Sequence, residues 1–169
     1  MAPKMIAILV KDLRQVVGVL TRNGGAVPKV EEYAKSGIAV RDGTTASSVT
    51  VPVERLELKE LDFAEDLLLN PHQYSVDANA NRVAHPDAIS GLALTASQLR
   101  VTFDGPPNAT GKYYVRVESD SLAQPFEAAG EVDFGASPWV LPGNFQSGSE
   151  HKIYAAIAGH RPMIGVTSF

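Results

Sequence analysis

Four histidines, His72, His85, His151 and His160, are the side chains of this chain that titrate near neutral pH, and there is no cysteine to join them in ligating a metal. No two of the four stand at a ligand spacing. His72 and His85 fall in a polar stretch with Asp77 and Asp87 nearby, where a surface metal site can be drawn but ordinary loop residues are the plainer account. Glu150-His151 is the first pair to mutate if the chain were an enzyme, and a place beside a turn explains both it and His160. Asp62 with Glu65, and Glu131 with Asp133, are carboxylate pairs of the kind that share acid–base work. Glu131 and Asp133 alternate with Val132 and Phe134, the pattern of a strand with one solvated face. Asp77, Asn79 and Asn81 repeat oxygen ligands at every second position, as calcium loops do, but the glycine and closing glutamate of an EF-hand are missing. Gly148-Ser149-Glu150 and Gly135-Ala136-Ser137 do not match the G-x-S-x-G serine elbow, and no glycine-rich phosphate loop follows a strand. The residues therefore predict no catalytic, cofactor-binding or metal site.

Binding chemistry is equally sparse. Trp139, Tyr113, Tyr114 and Phe145 are the material for an aromatic sugar platform, yet Tyr113 and Tyr114 are adjacent and on a strand must face opposite sides. Core packing is the expectation for them. Asn108-Ala109-Thr110 spells a glycosylation sequon, which reads as a turn if the chain is not secreted. Basic residues are spaced singly without an array of aromatic rings, which argues against nucleic-acid binding.

Such chemistry as exists must be positioned by sheets. The chain has 169 residues, 44% of them apolar, with 14 glycines and 11 prolines, enough to bury one domain core or a smaller core with an extended arm. Residues 1–41 hold seven Lys or Arg against three Asp or Glu; residues 42–169 hold eight against sixteen. Such asymmetry can steer the positive part of one subunit towards the negative part of another. Met5–Val10 follows Lys4 like the apolar part of an export signal, but Lys11, Asp12 and Arg14 end it too soon, and no run approaches a membrane span. The expectation is a soluble chain with no membrane partner.

Lys4–Lys11 and Arg14–Thr21 are rich in β-branched residues and predict two strands, with Asn23-Gly24-Gly25 as a turn. Val27-Pro28 opens a short helix to Ser36 that Gly37 can end. Val49, Val51 and Val53 alternate as a strand. Leu56 and Leu58 continue it in the opposite phase, so a bulge or turn is expected near Glu54-Arg55. Leu61–Leu69 fits helix or strand. Residues 70–90 read as a linker or long loop, which places a boundary near Ala88 and divides the chain into regions 1–88 and 89–169. Beyond it, strands are expected near Leu92–Leu94, Leu99–Phe103, Tyr113–Glu118, Ala128–Phe134, Lys152–Ile157 and Met163–Phe169.

The segments LRVTFDGPPNATGKYYVRVES, GEVDF, SPWVL and HKIYAAIAGHRP resemble the strand–turn cadence of immunoglobulin-like sandwiches over about half the chain, without the Cys-Trp-Cys signature. Such a module joined to an N-terminal arm in a cysteine-free chain is similar in kind to the small virion structural proteins of tailed phages: capsid decoration, neck and tail subunits. The resemblance implies a virion protein assembled in the host cytoplasm. The overall expectation is a mainly β protein whose C-terminal immunoglobulin-like antiparallel sandwich follows a smaller β-rich region with one or two short helices. Its expected role is that of a non-enzymatic, homo-oligomeric structural protein with no cofactor, whose protein partners are copies of itself or a capsid or tail lattice. Met5, Ile6, Ile8, Leu9 and Val10 are its candidate assembly residues, on a strand that either pairs with a neighbouring subunit or forms an internal hairpin with Arg14–Thr21. The alternative is a surface carbohydrate-binding or adhesion module.

Overall fold

The computed structural model describes residues 3–22, 24–41, 47–107, 109–133 and 135–169. Asn23 of the expected first turn, Asn108 of the sequon and Phe134 lie outside them. The protein is mainly β and divides into two compact units, Met1–Val40 with Thr50–His85, and Arg41–Val49 with Pro86–Phe169. No helix among the described residues is long and apolar enough to cross a membrane.

In the first unit, strands β1 (Lys4–Val10) and β2 (Gln15–Arg22) form the expected hairpin. Its turn places Asp12 and Arg14 at positive φ, 66° and 55°. Helix α1 (Val30–Tyr33) is a single turn, shorter than the expected span to Ser36, because so short a helix carries little stability of its own. Gly37 follows at φ 129°, where a Cβ would stand 2.4 Å from the Val51 carbonyl oxygen. The short strands β3 (Ile38–Val40) and β4 (Val49–Val51) pair with each other. The phase change expected near Glu54-Arg55 is a 3-10 turn over Val53–Arg55, after which β5 (Leu56–Asp62) lies antiparallel to β1. The ambiguous segment after it resolves into the end of β5 and the short helix α2 (Glu65–Leu69).

The expected loop at 70–90 is instead largely structured. A 3-10 turn at Pro71–Gln73 leads into β6 (Tyr74–Val76) and β7 (Arg82–Ala84), which extend the sheet to the order β5-β1-β2-β6-β7. These three-residue strands offer no run of apolar alternation, and side-chain hydrogen bonds hold them in place. Gln15, 3% exposed, donates from Nε2 to the carbonyls of Tyr74 at 2.8 Å and His72 at 3.1 Å. Arg14 donates from Nε to the Val76 carbonyl at 2.7 Å. Replacing Gln15 by leucine leaves those carbonyls short of a donor. We expect it to lower unfolding free energy by about 1–3 kcal/mol, read from the urea midpoint.

Met5, Ala7, Leu9, Val16, Leu61, Leu67 and Val76 form this unit's apolar cluster on one face of the sheet. Ile6, Ile8 and Val10, on the other face of β1, are also buried, so the strand reads as a continuous apolar run rather than an alternating one.

Among the described residues from Pro86 onwards the second unit carries seven strands: β8 (Ile89–Thr95), β9 (Gln98–Phe103), β10 (Gly111–Glu118), β11 (Phe126–Val132), β12 (Trp139–Pro142), β13 (His151–Ile157) and β14 (Met163–Thr167). They make two antiparallel sheets, β12-β9-β8 and β11-β10-β13-β14. Alternate residues from both sheets, among them Leu94, Leu99, Val101, Val115, Val117, Leu141, Ile153 and Ile157, meet in one apolar core. Strand β12 is the element not among the expected strands. It is four residues long and ends in proline, which suits its place at a sheet edge.

Candidate functional site

Met5, Ile6, Ile8, Leu9 and Val10 lie together on β1, which has a neighbour on each side. Met5 stands opposite Thr21 of β2 and Leu61 of β5, and Val10 opposite Gln15 and Leu56. All five are 3% exposed or less. Both edges of β1 are therefore satisfied inside this chain, and pairing β1 with another subunit would require withdrawing it from the middle of its own sheet.

Three of the four histidines make contacts within the fold. His151 is fully buried; its Nδ1 donates to the Ser149 carbonyl at 3.0 Å, and its ring lies between Phe169, stacked at 5.7 Å, and Phe145, edge-on at 6.1 Å. Its Nε2 has no hydrogen-bond partner among the described residues, so the ring packs as an aromatic. Neighbouring Glu150 is exposed and lines an open cleft of about 440 Å³ with Glu118, Ser119, Asp120, Leu122, Pro125, Ser149 and Lys152. Glu150 is exposed just before β13 while His151 is buried within it, so the two do not converge. His160 donates from Nε2 to the Gly105 carbonyl at 2.8 Å, and its ring lies 5.0 Å from Phe103. His85 Nε2 is 2.9 Å from Ser75 Oγ. Among the described residues no three His, Asp or Glu side chains gather as a metal site.

Asp77 and Asp66 are similarly occupied. Asp77, the first residue of the oxygen-rich alternation, accepts hydrogen bonds from the backbone N–H groups of Asn79 and Asn81, both 2.8 Å, and from Asn81 Nδ2 at 3.0 Å. Its oxygens close the β6–β7 turn. Asp66 accepts from the Tyr74 hydroxyl at 2.9 Å and pairs with Arg82. The Asn81 side chain, with the turn's N–H groups, holds Asp77 below the usual carboxylate range; the Tyr74 hydroxyl, with Arg82, does the same for Asp66. A carboxylate lowered in the folded state stabilises above its ordinary value of 3.8 and loses that contribution as pH falls through the lower folded value. Acid unfolding followed between pH 5 and 2 should therefore become shallower in Asp66→Asn and Asp77→Asn than in the parent chain.

The four aromatic residues do not make one platform. Tyr113 and Trp139 meet at 4.4 Å with rings tilted by 55°, both packed against the core of the second unit. Tyr114 faces the other side of β10 and lies 6.1 Å from Tyr154. Phe145 is buried, edge-on to Phe126 at 5.2 Å. Burial raises the Tyr154 hydroxyl far above its ordinary range.

Sequence reasoning missed the outer edge of β11. This strand pairs with β10 in unbroken register from Phe126 to Val132 and, among the described residues, has no strand on its other side. Arg116 on β10 bridges Glu118 at 3.0 Å and Glu127 of β11 at 2.9 Å, which fixes one end of the edge. The available signal was composition: seven residues of strand with no lysine, proline or bulge to blunt them. No family model and no curated protein matches this chain.

Proposed function

We propose that this chain is a non-enzymatic structural protein that works through contacts between subunits, as a virion component such as a capsid decoration or head–tail subunit. The observation that carries this reading is where its unused hydrogen-bonding groups lie. His151, His160, Asp66, Asp77 and Arg116 hold the protein's own fold, whereas the backbone edge of β11 has no strand beside it among the described residues.

The seven-strand unit supports an immunoglobulin-like module as part of that proposal. Its third, sixth and seventh strands, β10, β13 and β14, are neighbours, as in the C-F-G sheet of that fold, and its first, second and fifth, β8, β9 and β12, share the other sheet. The fourth strand, β11, lies beside the third. The virion role rests on layout: a cysteine-free chain that joins such a module to a smaller β-rich unit.

Sedimentation velocity on the full chain at increasing concentration tests the reading. A discrete oligomer or a growing polymer is expected, and a single monomeric boundary at every concentration would overturn it.

A further inference from the structure

Strand β11 is an edge that a sheet protein would ordinarily protect. Its sequence FEAAGEV holds neither lysine nor proline, and its register with β10 shows no bulge. Glu127, Ala129 and Glu131 alternate along one face, and exposed Asp133 follows the last strand residue. On the other face, Gly130 lies under the Tyr113 ring: a Cβ there would stand 3.0 Å from Tyr113 Cε1. With Trp139 against Tyr113, this leaves half-buried aromatic surface next to a strand position that has no side chain.

We propose that this edge receives strand β3 of a second copy of the chain, so that subunits join head to tail. The proposal rests on the assembly reading and names its partner. Among the described residues strand β3 has one neighbour, β4, and the exposed Lys35 and Arg41 stand before and after it. Setting the strands antiparallel with Ala39 opposite Ala129 brings Arg41 opposite Glu127, while Lys35, which precedes β3 beyond the bend and Gly37 at φ 129°, falls towards the end of the edge that carries Glu131 and Asp133. Ile38 then lies opposite Gly130, beside the Tyr113 and Trp139 rings.

Charge disfavours pairing of the edge with itself, since a two-fold axis through Ala129 would set Glu127 against Glu131 of the other copy. The excess of basic residues in 1–41 and of acidic residues in 42–169 favours the head-to-tail encounter. Because donor and acceptor are different edges, the contact repeats into a ring or a filament.

Light scattering on the full chain tests this with three variants: Glu131→Lys with Asp133→Lys, Lys35→Glu with Arg41→Glu, and all four together. The first pair leaves the Arg116–Glu127 bridge intact. Each pair should raise the concentration of half-assembly by about tenfold, and the fourfold exchange should bring it back close to the parent value. An assembled parent whose mass ignores both pairs, or a fourfold variant that stays apart, overturns the β11–β3 contact and leaves the assembly reading standing. A parent chain that is monomeric at every concentration overturns both.

Discussion

Removing residues 1–10 is expected to unfold the first unit rather than to release a folded subunit. Strand β1 is flanked on both sides, residue for residue, from Lys4 opposite Arg22 and Asp62 to Val10 opposite Gln15 and Leu56. Its deletion strips a ladder from each neighbour and removes Met5, Ala7 and Leu9 from the core they share with Leu61, Leu67 and Val76. Leu9→Ala is the graded form of the same experiment. Leu9 is fully buried, so truncation should cost about 2–5 kcal/mol. Amide NMR dispersion reads the deletion, and the urea midpoint reads the substitution. A truncated chain that kept its native amide pattern would show that β1 does not belong to this sheet.

Leu99→Ala should weaken the second unit to a similar degree, by about 2–5 kcal/mol. Leu99 lies on the middle strand β9, opposite Leu94 of β8 and Leu141 of β12, and is fully buried between the sheets. Cutting it back leaves a cavity that the two flanking strands, fixed in register, cannot readily close. Trp139, the single tryptophan, packs against the same core and supplies a fluorescence signal for this unit. The expected result is a lower urea midpoint with an unchanged slope; a loss below about 1 kcal/mol would contradict the two-sheet packing.

The parts of the fold that could be read from sequence are those in which burial writes a pattern. Strands β9, β10 and β13 alternate or run apolar because one or both faces are covered, and the β1–β2 hairpin announces itself by two β-branched runs. The parts that could not be read are held by side-chain hydrogen bonds. Strands β6 and β7 depend on Gln15, Arg14 and Asp77, residues remote from them or inside their turn, so a search for apolar periodicity finds only loop. The candidate assembly strand shows a different limit. The sequence identifies Met5–Val10 as a strand but not how many neighbours it has, since an exchanged strand and a central strand are written in the same residues. Register with β2 and β5 decides that within this chain. The β11 edge was hidden for a related reason: Glu131 and Asp133 read as a solvated face, and composition shows that a strand is unblunted without showing whether another strand lies beside it.

Amide hydrogen exchange of the full chain, compared at low and high protein concentration, tests most directly whether this protein works by joining subunits through a free sheet edge. The account predicts that added protection appears with concentration in Phe126–Val132 and Ile38–Val40, while the amides of β1, already bonded on both sides, exchange at the same slow rate throughout. Exchange that is independent of concentration along the whole chain would contradict it.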